Sequence, residues 1–199
     1  MSVSTPLATR RLGSQGPELT TVGFGTWTIG GAAPVSMGAT DDDESVAALR
    51  RAIEAGVNWV DTAPAYGLGH SEALVGRAVA PYRTGEDVYL FTKCGVPWDE
   101  SAAMYRHDLT PATIRAECEA SLRRLGVERI DLLQMHWPDF ETGTPVEESW
   151  ATLGARRAEQ VDGWLGACGL ELDEETLAEI DEALVETGAG HDDPPPTRI

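Results

Sequence analysis

Strand-like and helix-like segments alternate along the first two-thirds of this chain, and this alternation constrains its fold more than any other feature. The segment DDDESVAALRRAIEAG (41–56) has acidic capping residues, apolar positions at helical spacing and a terminal glycine, and the strand-like run VNWVDTA (57–63) follows it directly. The alternation continues with the helix-like HSEALVGRAVAPYR (70–83), the strand-like DVYLFTK (87–93), a helix opened by Thr110 and Pro111, and the strand-like IDLLQMH (130–136). This order predicts βα units and a parallel sheet. Ahead of these units, a turn between residues 13 and 18 predicts a small hairpin followed by a first core strand.

The alternation ends after the fourth strand. From Val146 to Cys168 apolar residues recur at three- and four-residue steps, which predicts one helix across this region and no fifth strand. The segment DEETLAEIDEALVETG (173–188) predicts a second amphipathic helix. A chain of 199 residues is long enough for one domain. We assign this domain to residues 1–190 and a flexible, proline-containing tail to residues 191–199.

Charge and cysteine content narrow the classes of partner. The chain has 15 basic and 33 acidic residues and a net charge of −18, which repels nucleic acid and anionic membranes. Cys94, Cys118 and Cys168 form neither a paired disulfide pattern nor a zinc-site spacing. The N-terminus lacks an apolar signal-peptide run, and no segment approaches the roughly 18 apolar residues of a membrane span. We therefore expect a cytoplasmic protein without a metal, a nucleic-acid partner or a membrane partner.

Four polar residues at or near strand ends form a candidate proton relay. A tyrosine has a pKa of about 10 and is a poor acid near neutrality unless a cation stabilises its phenolate. Lys93, at the end of a strand beside the loop of Tyr66, is placed to supply that charge. Asp61 ends the preceding strand and is expected to pair with Lys93, and His136 is expected to donate a hydrogen bond to a substrate oxygen. The ends of parallel strands are where barrel enzymes place reacting groups.

The segments around these residues carry five motifs: GFGTW (23–27), VDTAPAYG (60–67), GHSEALVGRAV (69–79), FTK (91–93) and MHWPD (135–139). In residue type, order and strand context they resemble the aldo-keto reductase family over about residues 8–153. The resemblance implies an α/β fold, a partial TIM-type (β/α) barrel of about four βα units plus C-terminal helices, and a small carbonyl substrate.

The same resemblance implies a role for each candidate residue. Tyr66 would be the general acid or base and Lys93 the partner that lowers its pKa. Asp61 would orient Lys93, and His136 would bind the substrate oxygen. Trp27 and Trp137 would form walls of the carbonyl pocket.

The chain departs from the family pattern in its second half. The fifth to eighth strands of the family, with the residues that hold the nicotinamide, have no recognisable counterpart. The segment GARRAEQVDGWLGA (154–167) resembles the late loop and helix of the family, which approach the adenosine 2′-phosphate. This likeness implies that Arg156, Arg157 and Gln160 bind the cofactor if NADPH is used. We therefore interpret Leu153–Gly154 as a junction across an internal deletion.

Three classes of function remain. The sequence favours a cofactor-independent isomerase, dehydratase or cyclase, because tyrosine, lysine and histidine can move protons without a hydride and the nicotinamide contacts are missing. The first alternative is an NADPH-dependent carbonyl reductase whose barrel is completed by a second chain. The second is a noncatalytic interaction module. Four open βα units expose sheet edges and an apolar interior, so we expect a homodimer that completes or covers the barrel in every case.

Overall fold

A computed structural model describes residues 6–31, 40–82, 84–99 and 104–153. The chain divides into a compact unit, Met1–Gly154, and a second unit, Ala155–Ile199, which lies outside the described residues. The strands are β1 (Thr9–Arg11), β2 (Glu18–Thr20), β3 (Phe24–Gly25), β4 (Trp59–Asp61), β5 (Tyr89–Cys94), β6 (Trp98–Asp99), β7 (Met104–Tyr105) and β8 (Leu132–Met135). The helices are α1 (Asp42–Glu54), α2 (His70–Val79), α3 (Pro111–Leu125) and α4 (Val146–Leu153), with a short 3₁₀ helix at Trp27–Ile29.

The central sheet has four strands in the order β3-β4-β5-β8, and every neighbouring pair is parallel. Helices connect the successive strands, with α1 between β3 and β4, α2 between β4 and β5, and α3 between β5 and β8. The prediction of four parallel βα units is therefore confirmed. The predicted N-terminal hairpin is also present, as the antiparallel pair β1-β2.

Local sequence signals begin α1 and α3 and end α3 as expected. The Asp41 side chain accepts hydrogen bonds from the backbone N–H groups of Asp43 and Glu44 at 2.9 and 3.0 Å, which satisfies two donors at the start of α1. Thr110 is the N-cap of α3, and Pro111 occupies its first turn. Gly126 ends α3 with φ of 67°, a left-handed conformation that glycine adopts without strain.

Alternate residues of each strand point to opposite faces of the sheet. The outer face, with Val60 and Leu90, packs against the crossover helices, which contribute Leu49, Leu74 and Leu125 to the same core cluster. The inner face borders a cavity of about 350 Å³ under the β1-β2 hairpin. Its strand residues are Trp59, Asp61, Phe91, Leu132 and Gln134. The Trp59 indole N–H donates to the Thr20 carbonyl at 2.8 Å and ties the hairpin to the amino end of β4.

Two features differ from the sequence predictions, and the predictions for the C-terminal part of the chain can be compared with the structure only up to Leu153. The loop between β5 and α3 contains the antiparallel hairpin β6-β7, which the sequence pattern does not predict. Helix α2 ends at Val79, earlier than the predicted residue 83. Helix α4 agrees with the predicted C-terminal helix up to Leu153. Four predicted features fall outside the described residues: the rest of that predicted helix, the predicted helix at 173–188, the tail at 191–199 and the Leu153–Gly154 junction. The single domain of residues 1–190 therefore stays a prediction.

Within the described ranges, no helix is both long and apolar enough to span a membrane.

Candidate active site

The predicted ion pair between Asp61 and Lys93 is present at the carboxyl end of the sheet. Asp61 is the last residue of β4, and Lys93 lies near the end of the neighbouring strand β5. The Lys93 Nζ donates to Asp61 Oδ2 at 2.5 Å and to the Thr62 carbonyl oxygen at 3.0 Å. The two side chains are only 27% and 14% exposed, for Asp61 and Lys93, so the contact is shielded from solvent more than a surface ion pair is.

Tyr66 lies beside this cation. The Lys93 Nζ is 5.1 Å from the centroid of the Tyr66 ring, within the range of a cation–π contact. The loop that carries Tyr66 is held on two sides. The Tyr105 hydroxyl of the β6-β7 hairpin donates to the Ala65 carbonyl at 3.0 Å. On the other side, Gly67 has φ of 63°, and a Cβ there would overlap the Gly30 carbonyl oxygen.

His136 follows β8 and completes the group. Its ring meets the Tyr66 ring edge-on, with 5.6 Å between the centroids. Its backbone N–H donates to the Cys94 carbonyl at 2.9 Å, which fixes the residue beside the end of β5. Burial, reinforced by the positive charge of Lys93, lowers the pKa of His136 to about 4, although Asp61 opposes this shift. His136 is therefore neutral near pH 7 and can donate a hydrogen bond from one ring nitrogen.

The structure brings Asp61, Tyr66, Lys93 and His136 together as the sequence suggests, and their catalytic roles stay predictions. Trp27 and Trp137 follow β3 and β8, at the same carboxyl edge, and are 45% and 48% exposed. Their role as walls of a carbonyl pocket is likewise a prediction. Arg156, Arg157 and Gln160 fall outside the described residues. No cluster of three or more metal-ligating side chains exists within the described ranges.

Sequence reasoning missed one polar residue that contacts this group. The Gln134 Nε2 donates to Asp61 Oδ1 at 2.9 Å, so the second carboxylate oxygen of Asp61 also has a donor. A signal for this contact exists in the sequence. Gln134 lies two residues before His136, and residues two apart on a strand share a face.

A second set of missed residues supports β5 from behind. Thr92 donates to Glu72 Oε1 at 2.6 Å, and Arg124 Nε donates to Glu72 Oε2 at 2.6 Å, so a fully buried carboxylate links β5 to α2 and α3. The Gly95 N–H donates to Glu117 Oε2 at 2.6 Å. Burial raises the pKa of Glu117 to about 7, even though the Gly95 hydrogen bond and Arg124 favour its charged form.

Comparison with known proteins agrees with this arrangement. The Aldo/keto reductase family matches residues 21–154. The chain is 42% identical to the aldo-keto reductase YhdN of Bacillus subtilis over 134 residues, which cover 67% of this chain and 38% of that protein. It is 35% identical to the NADH-specific methylglyoxal reductase of Escherichia coli over 173 residues, or 81% of this chain and 52% of that protein. The chain thus spans about half or less of the length of these relatives.

Solved structures lead to the same family. An aldo-keto reductase from Bacillus halodurans, in its holo form, superposes with a TM-score of 0.63 at 28% identity, over 73% of this chain and 45% of that chain. An aldo/keto reductase from Klebsiella pneumoniae in complex with NADP and acetate superposes with a TM-score of 0.56 at 28% identity, over 86% of this chain and 52% of that chain. The fold is that of one part of an aldo-keto reductase (β/α) barrel, and the chain belongs to the aldo/keto reductase family.

Proposed function

We propose that this protein is an NADPH-dependent reductase of a small carbonyl compound, with a barrel completed by a second chain. The sequence favours cofactor-independent chemistry instead, but the relatives give that interpretation no support. They include an NADH-specific methylglyoxal reductase and an aldo/keto reductase in complex with NADP, so they favour a nicotinamide-dependent reductase, which the sequence leaves as an alternative.

The observation that carries the proposal is the position of Lys93 between Asp61 and Tyr66. The ammonium is 2.5 Å from the Asp61 carboxylate and 5.1 Å from the Tyr66 ring centroid. Tyr66 is the proposed proton donor to the carbonyl oxygen, and the Lys93 ammonium is the charge that would balance the tyrosine oxygen after the transfer. The neutral His136 ring is the proposed hydrogen-bond donor that orients that oxygen.

The described residues fit the reacting end of such a reaction. Tyr66, Lys93 and His136 supply a proton donor, a cation and a neutral hydrogen-bond donor at one edge of the sheet. NADPH, when bound, supplies the hydride. Arg156, Arg157 and Gln160 remain the residues proposed to hold its 2′-phosphate, and they belong to the part of the chain that is not described.

The open sheet supports the proposed assembly. The terminal strands β3 and β8 each have one neighbour within the described sheet, so their outer edges are open to pairing. The inner face beside them carries Trp59, Phe91 and Leu132, which are apolar. A second copy whose open strands pair with β3 and β8 would close the barrel over this face, form a homodimer and remove both exposed edges. A small-molecule substrate and a cytoplasmic location complete the proposal.

The decisive experiment measures NADPH oxidation by its absorbance at 340 nm with a panel of small aldehydes and ketones. We expect turnover that Tyr66→Phe reduces by about 10² to 10⁴, the usual contribution of general acid catalysis. Tyr82→Phe is the matched control, because it removes a phenol hydroxyl from a residue that lines a different cavity, between α2 and α3. Parallel reactions with NADH test which nucleotide is used.

Three outcomes would contradict the proposal. Consumption of a carbonyl compound at the same rate with no nucleotide present would restore the cofactor-independent interpretation. Equal rates of NADPH oxidation for Tyr66→Phe and the unsubstituted protein would remove Tyr66 from the reaction. A partner protein captured without any turnover would favour the interaction module.

A further inference from the structure

We propose that Gln134 is a positioning residue that holds the Asp61 carboxylate and, through it, the Lys93 ammonium beside Tyr66. Both oxygens of Asp61 are engaged, with Lys93 on Oδ2 at 2.5 Å and Gln134 on Oδ1 at 2.9 Å. A carboxylate with one donor can rotate about its last bond, whereas donors on both oxygens fix its plane. This inference rests on the proposed function only for its effect on turnover.

The register of the sheet explains why the contact needs a glutamine. Gln134 is the direct neighbour of Lys93 across the β5-β8 ladder, and Asp61 is the neighbour of Phe91 across the β4-β5 ladder. Gln134 therefore reaches past β5 to a residue two strands away. Adjacent strands are about 4.8 Å apart, and Lys93 is two residues beyond Phe91 on β5, so the contact spans two strand spacings and a two-residue stagger and demands a long side chain. Asparagine, one methylene shorter, would not reach Asp61.

The chemistry of the amide gives the contact its direction. An ionised carboxylate only accepts hydrogen bonds, so the NH₂ end of Gln134 must face Asp61. Hydrogen bonds to a charged group are stronger than those between neutral groups. The surroundings strengthen this one further, since Asp61 is only 27% exposed and apolar Trp59, Phe91 and Leu132 line the same cavity.

Lys93 makes the inference unusually easy to test, because it is the single lysine among the 15 basic residues of this sequence, the other 14 being arginines. A protein labelled with ¹⁵N-lysine therefore gives one side-chain ammonium signal, and that signal belongs to Lys93. The exchange rate of its protons with water reports how firmly Asp61 and the Thr62 carbonyl hold the ammonium. This measurement needs neither substrate nor nucleotide.

The test compares Gln134→Met, which keeps the side-chain length without donors, with Gln134→Asn, which keeps the amide but not the reach. We expect both variants to show faster exchange of the Lys93 ammonium protons than the unsubstituted protein. Leu132→Met is the matched control, because it changes an apolar residue on the same strand and in the same cavity. Its ammonium exchange should not change.

Kinetics supplies the second measurement. We expect both Gln134 variants to lower kcat by about 10- to 100-fold, the scale of a small misplacement of a reacting group. KM should stay nearly constant, because Gln134 is proposed to act through Asp61 and Lys93 and not by contact with the substrate. Circular dichroism and thermal unfolding confirm that each variant is folded.

The outcomes separate this inference from the proposed function. Unchanged ammonium exchange in folded Gln134→Met would overturn the positioning role, and so would a kcat equal to that of the unsubstituted protein. Faster exchange in both variants, in a protein that reduces no carbonyl compound tested, would support the positioning of Lys93 and contradict the reductase.

Discussion

Replacing Glu117 by glutamine should change how the stability of this protein depends on pH. The Glu117 side chain is on α3, and the whole residue is only 9% exposed. Glutamine has nearly the same shape, and its carbonyl oxygen can still accept the hydrogen bond from the Gly95 N–H. The substitution therefore removes the titration of one buried carboxyl group while its packing stays almost unchanged.

The size of the effect follows from the pKa of Glu117, which burial raises from 4.5 to about 7. Between these two pH values the folded protein keeps the proton that the unfolded chain has lost, so the stability due to this group falls as pH rises. One pKa unit corresponds to about 1.4 kcal/mol. The free energy of unfolding of the unsubstituted protein should therefore fall, relative to Glu117→Gln, by about 2 to 3 kcal/mol between pH 5 and pH 8.

Urea unfolding at pH 5, 6, 7 and 8, followed by tryptophan fluorescence, measures this difference. Glu119→Gln is the matched control, because Glu119 lies on the same helix but its side chain is 71% exposed. The Glu119→Gln protein should follow the unsubstituted protein across the range. If the curves of Glu117→Gln and the unsubstituted protein run parallel from pH 5 to pH 8, then Glu117 does not hold its proton, and the argument from burial is wrong.

Three further predictions concern the site and the assembly. In steady-state assays, Lys93→Met should lower turnover by about 10² to 10⁴. Lys93→Arg should not restore it, because a planar guanidinium cannot take the place of a compact ammonium. His136→Ala should raise KM more than it lowers kcat, because the neutral ring orients the substrate oxygen; the opposite pattern in initial-rate kinetics would assign His136 to proton transfer. Light scattering should report the mass of a dimer, and a monomer at every concentration would exclude the proposed assembly.

Much of the fold and the central ion pair could be predicted from the sequence. The helix ends follow from local chemistry, as at Asp41, Thr110 and Gly126, so each signal lies within a few residues of its effect. The Asp61–Lys93 contact was predictable because consecutive strands of a parallel sheet are neighbours. Polar residues at the ends of such strands meet at one edge.

Contacts that depend on distant register or on tertiary burial could not be predicted in the same way. Gln134 contacts Asp61 across an intervening strand, and this contact can be recognised only when the register of all three strands is known. Glu117 lies three residues after the apolar Ile114 and eight before the apolar Leu125, on one face of α3, so its burial had a sequence signal. The hydrogen bond from the Gly95 N–H to Glu117 had no such signal in the sequence. The β6-β7 hairpin has two-residue strands, too short for an alternating pattern to be recognised.

Neighbouring residues of β5 point to opposite faces of the sheet and therefore serve different purposes. Thr92 is fully buried and donates to Glu72 behind the sheet, whereas Lys93, the next residue, contacts Asp61 on the inner side. We expect a substitution at Thr92 to lower mainly the amount of folded protein in a cell, whereas one at Lys93 should lower turnover more than it lowers that amount. In a mutational scan that reports abundance and activity separately, adjacent codons of this strand would therefore fall into different classes. A library directed at Lys93 and Gln134 could change the chemistry of the site while it spares the residues that keep the chain folded.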